Sequence, residues 1–215
     1  VPWPKDRKLE TRARILDAAA SAIRTRGLAE AGVTDIMQGA GLTHGGFYSH
    51  FSSKDQLLAE ALEHAGRDAM ASLSASLDSI PRDERLHAVI DRYLTTEHAE
   101  HPGRGCPIAA LAPELVRASP EVRGRLARAI RSRLSWLRTL TTQRQADRPV
   151  DDHAAGVLAC LVGGVILARG LGGDEGRALL QACRSFIRGG LTANPRNAPR
   201  GHDGRRSRRA GGSNR

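Results

Sequence analysis

G-L-T-H-G-G-F-Y-S-H-F-S-S-K, residues Gly41 to Lys54, holds three of the chain's seven aromatic side chains within five positions, in a sequence that is only 3% aromatic. Phe47 and Phe51 are four apart and share one face of a helical turn, which leaves His44, Tyr48 and Lys54 to point elsewhere. One face packs and the other is free to bind. That division predicts a recognition helix, capped at Thr43 and running through Phe51.

Working outward, Ser53 and Gln56 have capping-box spacing. From Lys54 onward Leu57, Leu58, Ala61, Leu62, Ala65, Ala69, Leu73 and Leu77 sustain a helical stripe that should run to Asp78. On the other side, V-T-D-I-M-Q-G-A predicts a short helix capped by Gly32, with Asp35 favouring the free amides of its first turn. Gly41 breaks it. Two short helices joined by a glycine-containing turn make a helix-turn-helix. Ahead of them, Lys8 to Arg26 places Ile15, Leu16, Ala19, Ala20 and Ile23 at helical spacing, with Gly27 as the stop.

Beyond the fourth helix, Pro81 restarts the chain into a fifth with Leu86, Val89, Ile90, Tyr93 and Leu94, ending near Pro102-Gly103-Arg104-Gly105. Cys106-Pro107 opens a sixth, and Pro113 should kink or divide it at a cost of roughly 3 kcal/mol. Ser119-Pro120-Glu121 is a strong start for a seventh helix, with arginines on its outer face. Asp151 to Arg169 is apolar nearly all round and needs cover on most sides. The G-L-G-G-D-E-G link leads to a ninth helix, and nothing requires a strand. The expectation is an all-α chain of about nine helices.

The net charge is +10, but the segment from Asn194 to the end contributes +6 of it, with seven arginines against Asp203. From Thr192 onward there is no Leu, Ile, Val or aromatic residue, so this segment cannot order itself by burial. A disordered tail at 194–215 follows, with at most an electrostatic role; as a rival, the tail alone would make a non-specific nucleic-acid binder. Cys106, Cys160 and Cys183 are widely spaced, which suggests neither a disulfide framework nor a zinc ribbon and points to a reducing cytoplasm. Arg, Asp or Glu interrupt every apolar segment before it reaches membrane-spanning length, so no membrane partner is expected.

Three segments at fixed spacing, I-L-D-A-A (Ile15–Ala19), V-T-D-I-M-Q-G-A-G-L-T (Val33–Thr43) and G-G-F-Y-S-H-F-S-S-K-D-Q-L (Gly45–Leu57), make the chain resemble the TetR family of bacterial transcriptional regulators. G-C-P-I-A-A-L-A-P-E-L (Gly105–Leu115) extends the likeness weakly into the rest. The resemblance implies an Ω-shaped homodimer on double-stranded operator DNA, usually a repressor released by a small-molecule effector. It divides the chain into a DNA-binding head at 1–53 and a ligand-binding and dimerisation body at 54–193. It also implies that Thr43, His44 and Gly45 face base edges while Tyr48, His50 and Lys54 meet phosphates. Thr34 and Gly46 complete the expected DNA-binding set, and Ile36, Ala40, Leu42, Phe47 and Phe51 are scaffold. Gly45-Gly46 departs from good helix chemistry by about 1 kcal/mol per glycine.

In the body, Tyr93, Cys106, Trp136 and Leu140 are candidates for a small-molecule pocket, with ordinary core packing as the alternative. Cys106 follows an arginine- and glycine-containing turn at a helix start, where dipole and Arg104 could make it a thiolate that senses oxidants or electrophiles. A metal cluster of His98, His101 and Cys106 lacks a fourth ligand, and an enzyme built on Cys106 with a histidine base lacks an acidic orienter. No cofactor, metal or catalytic activity is expected. Gly156, Cys160, Gly164 and Phe186 are candidates for a dimer interface between the eighth and ninth helices.

Overall fold

The computed structural model describes residues 5–141 and 150–192. The basic segment at 194–215 lies outside them. Among the described residues there are nine α-helices and no strand: α1 (Lys5–Glu30), α2 (Val33–Gly39), α3 (Lys54–Ser74), α4 (Arg85–Tyr93), α5 (Thr96–Glu100), α6 (Pro107–Leu111), α7 (Pro120–Thr141), α8 (Val150–Leu171) and α9 (Gly173–Thr192).

α1 turns out of its regular course at Gly27, whose φ of 88° lies in the left-handed region, so the regular helix stops where the sequence predicts. Ile15, Ala19 and Ile23 are fully buried along its inner face, which packs against α3. The expected recognition helix is instead a 3-10 helix, His44–Ser49. α3 is therefore the helix counted fourth from the sequence. Ser53 Oγ accepts from Gln56 N at 3.0 Å, as a capping box requires, but Gln56 Oε1 returns to Ser52, accepting from its N and Oγ at 2.7 Å each.

α3 ends at Ser74, four residues short of the expected end, because Ser76 adopts a left-handed conformation with φ 55°. Arg92 from α4 donates to the freed carbonyls of Leu73 and Ala75, and Leu77 turns into the core. The expected fifth helix is two helices, α4 and α5. Leu94 leaves helical geometry, and Thr95 restarts the chain by accepting from His98 N at 3.1 Å. Arg169 of α8 then satisfies the carbonyls at the far end of α5, donating to Ala99 O and His98 O at 3.0 Å each. Pro113 divides its segment as expected: α6 gives way to a 3-10 turn at Ala112–Glu114.

α7, α8 and α9 complete the body. α7 starts at Pro120, with Ser119 Oγ accepting from Val122 N at 3.4 Å. Its arginines mostly face outward, but Arg133 does not: it is only 5% exposed. Within α8, His153–Leu171 is long and apolar enough to cross a membrane, with a mean hydropathy of 2.0, so charge does not interrupt it as the sequence reading held. Ala154, Val157, Leu161, Val165 and Ala168 are nonetheless buried on its inner side, where α8 packs against α9 and α7. Gly176 makes the α8–α9 approach possible, since a Cβ there would lie 2.6 Å from the Ala168 carbonyl oxygen.

Candidate nucleic-acid interface

The segment from Thr43 to Phe51 is held from one side. Phe47 and Phe51 are each 2% exposed, with ring centroids 5.9 Å apart, and the Arg12 guanidinium lies 4.6 Å above the Phe51 ring. Burying these two rings stabilises the head by about 1.5–3 kcal/mol each. Backbone bonds from Gly46 N to Thr43 O and from His50 N to Phe47 O have the i to i+3 spacing of a 3-10 helix. Two adjacent glycines disfavour a regular α-turn, which accounts for the tighter winding. Thr43 stands at the N-cap position, yet its side chain makes no capping bond, contrary to expectation.

The opposite side is open. Thr34, Thr43, His44, Gly45 and Tyr48 are all exposed, Tyr48 at 72%, with its ring set edge-on against Phe47 at 5.1 Å. Thr34 Oγ1 lies 3.2 Å from His44 Nδ1, which ties the first turn of α2 to the start of the recognition segment. The two glycines differ. A Cβ on Gly46 would touch Met37 at 3.6 Å, whereas a Cβ on Gly45 would meet nothing within 4 Å. Gly45 thus has no packing reason to be glycine, and its small size suits close approach by an outside surface.

Nitrogen-bearing side chains border this face. His50 is half-buried with Nδ1 unpartnered, and its pKa is lowered by burial first and then by Lys8 and Arg12. Lys54 Nζ donates to Ala29 O at 3.3 Å, which leaves two of its three donors for an external oxygen. Lys8 and Lys54, with the His50 ring, are chemically suited to phosphate oxygens, whereas Arg12 is already paired with Glu60 at 2.5 Å; Thr43, His44 and Gly45 carry the groups that could reach base edges.

Two contributors escaped the sequence reading. Arg14 donates to the Ala40 carbonyl and so closes α2 beside Gly41, whose φ is 70°. Glu114, from the turn after α6, reaches back to α1, where its Oε2 accepts from Leu28 N at 2.8 Å. Gly27 is required there, because a Cβ would lie 2.4 Å from Glu114 Oε1. A proline-interrupted turn in the body thereby holds the chain just past the Gly27 kink, a long-range pairing with no local sequence signal.

In the body, Tyr93 and Cys106 line one cavity of about 240 Å³, together with Arg92, His98, His101 and Arg104. Trp136 and Leu140 do not line it; both are half-buried against the core. His98 lies edge-on to Tyr93 at 4.5 Å, with Nδ1 2.7 Å from Tyr93 O, and its Nε2 accepts from Cys106 N at 2.9 Å. This requires a neutral ring, and burial lowers its pKa accordingly, ahead of the opposing bond to Tyr93 O. With both nitrogens committed, His98 is not the metal ligand considered above. Burial, followed by the adjacent Cys106, raises the Tyr93 pKa well above the ordinary phenol value.

Cys106 is 3% exposed and precedes a helix of only five residues, so neither solvent access nor a long helix dipole favours the thiolate sensor. A different group could hold a cation: Asp17 of α1 with His64 and Asp68 of α3 bring one ligand atom each within 4.8 Å of one another. His64 Nε2 already pairs with Asp17 at 2.5 Å and Asp68 at 3.5 Å. The three residues link α1 to α3 through the imidazole of His64.

The small-residue line on α8 divides. Gly164 is buried, and a Cβ there would lie 3.1 Å from both Cys183 Sγ and Leu94, so it serves packing within the chain. Cys160 also turns toward Cys183, and burial pushes its thiol up to about 11. Gly156 and Phe186 face outward, Phe186 at 75% exposure, alongside Leu167 and Leu171.

Known proteins share this arrangement. Residues 15–61 match the family described as bacterial regulatory proteins, tetR family, and residues 83–185 match the tetracyclin repressor-like C-terminal domain. An uncharacterized HTH-type transcriptional regulator of Mycobacterium tuberculosis is 32% identical over 168 residues, covering 74% of this chain and 84% of the relative. The HTH-type transcriptional repressor DhaR of Mycobacterium sp. strain GP1 is 29% identical over 119 residues, 54% of this chain and 58% of its own. The crystal structure of a TetR transcriptional regulator from Chloroflexus aurantiacus superposes with a TM-score of 0.74 at 28% identity, covering 85% of this chain and 94% of that one. With both its helix-turn-helix segment and its helical C-terminal region matched, the chain belongs to the TetR family of helix-turn-helix transcriptional regulators, a family of regulators and not of enzymes.

Proposed function

We propose that the protein is a cytoplasmic repressor that binds a palindromic operator as a homodimer and leaves it when a small molecule occupies the body. Residues 1–53 form the DNA-binding head, and 54–193 the ligand-binding and dimerisation body. The observation that carries this reading is the two-sidedness of the recognition segment. Phe47 and Phe51 are buried, while Thr34, Thr43, His44, Gly45 and Tyr48 stand exposed. Lys54 and His50 border that face and meet the backbone, while Thr43 to Gly45 enter the major groove.

Dimerisation uses the outward side of α8 and α9. Phe186, Leu167 and Leu171 are exposed at 75%, 59% and 52%, beside the small residues Ala155, Gly156 and Ala159. Such an apolar face on a regulator calls for a partner, and a second copy supplies a self-complementary one. Two recognition segments then lie about 34–36 Å apart, one helical turn of DNA.

Release follows from how the head is attached. α3 runs from Lys54, at the edge of the recognition segment, into the body, and Glu114 ties the body to the end of α1. An effector that favours a different setting of these elements changes the spacing of the two heads. Substituting Tyr48→Ala or Lys54→Ala should lower operator affinity by about tenfold or more while light scattering still reports a dimer. Unchanged affinity in both variants sinks this assignment of the interface.

A further inference from the structure

Arg133 is the one buried charged side chain among the described residues. It sits midway along α7, and among the described residues no carboxylate reaches it. Its contacts are Met70 Sδ, 3.4 Å from Nη1, and the Trp136 ring, whose centroid is 5.6 Å from the guanidinium carbon. Neither neutralises a full charge. A guanidinium presents a planar fork of five N–H donors, and burying one without an acceptor is costly unless a partner arrives.

The space in front of it is a cleft of about 590 Å³ between α3 and α7. Its apolar walls come from Met70, Ala71, Pro107, Ile108 and Ala129. Charge along the cleft is strongly one-sided. Arg67, Arg125 and Arg128 join Arg133, and the lone carboxylate, Glu63, is already engaged by Arg125 at 2.6 Å and Arg128 at 3.3 Å. The volume falls within the range of small-molecule sites, and an apolar hollow with one buried cation selects an amphiphile carrying one negative end. A carboxylate fits best, because its two oxygens match the guanidinium fork.

We propose that this cleft binds a small organic carboxylate, with its charge paired to Arg133 and its apolar body laid along Met70, Ala71 and Ile108. The site deepens the effector reading above and rests on it for its regulatory meaning. One wall is α3, the helix that leads to the head, so an occupant between α3 and α7 bears directly on head position. Arg133 is the specificity-determining residue, and its unpaired state in the free protein is the condition that an anion relieves.

The test uses the full chain and matched acid and amide pairs in titration calorimetry: benzoate with benzamide, octanoate with octanamide, and 2-naphthoate with 2-naphthamide. At least one acid should bind ten or more times tighter than its amide, Arg133→Met should remove that preference, and Arg133→Lys should keep part of it. The Arg133→Met protein without ligand should melt no lower than the parent, since no internal ion pair is lost. The proposal is overturned if no acid binds, if each amide matches its acid, if Arg133→Met retains the preference, or if that variant melts several degrees lower and so reveals a purely structural arginine. Operator affinity measured with and without the bound acid separates the two claims. An acid held through Arg133 that leaves operator binding unchanged keeps this site and refutes effector release.

Discussion

Removing the Glu114 carboxylate tests whether the body holds the head by the route described. In the Glu114→Ala variant, Leu28 N loses an acceptor 2.8 Å away, in a partly buried spot where α1 has already left helical geometry at Gly27. Leu28 itself is only 8% exposed, so water replaces the lost bond poorly. A hydrogen bond to a charged acceptor contributes about 1.5–3 kcal/mol. In a domain of this size that amounts to a melting temperature lower by about 3–12 °C. Glu114→Gln keeps an acceptor oxygen without the charge and should lose about half as much. Circular dichroism melts of the three proteins give the stability ranking, and operator titration at a temperature where all are folded gives the functional one. The alanine variant should also bind operator more weakly, because the end of α1 is freed. A melting temperature within about 1 °C of the parent would refute the idea that Glu114 fastens head to body.

Protonation of His98 gives a pH signature. The ring is held neutral between Tyr93 O and Cys106 N, and its folded pKa lies below the unfolded value of about 6.5. The unfolded chain therefore binds the proton first as pH falls, so the contribution of His98 is complete above about 6.5 and is lost progressively below it. Denaturant midpoints of parent and His98→Gln should differ most above neutrality and converge toward pH 5; a constant gap would contradict this. Gly41→Ala should destabilise the head by about 1 kcal/mol or more, given its left-handed φ and the nearby Arg14, whereas Gly45→Ala should stabilise it by up to about 1 kcal/mol and weaken operator binding. Equal thermal effects from the two would count against the distinction. Among the three thiols, Cys106 should be the slowest to react with iodoacetamide, and its labelling first would revive the sensor reading.

The head was legible because its signals are local. Ser53 and Gln56, and Phe47 and Phe51, each act within a few residues of themselves, so spacing alone identifies them. The body was legible as helices but not in its joints. Tyr93 and His98 pack together where Leu94 and Thr95 end one helix and start another, and α3 stops where Arg92, from another helix, takes its carbonyls. The glycines on α8 share a spacing, yet Gly164 faces Cys183 and Gly156 faces outward, since positions eight apart drift around an α-helix of 3.6 residues per turn. Arg133 passes in the sequence for one more surface arginine. Trp136 stands at i+3 on the same helix, but Met70 comes from α3, 63 residues away, and no local pattern announces that contact.

Selection of bound sites from random DNA by the full chain addresses the central claim, operator recognition by paired recognition segments. A palindrome is expected whose half-sites are centred about 10–10.5 base pairs, or a multiple of that, apart, with enrichment lost when Thr43 and His44 are both replaced by alanine. Enrichment of a single unpaired motif, or of no motif while the protein still binds DNA, would contradict it.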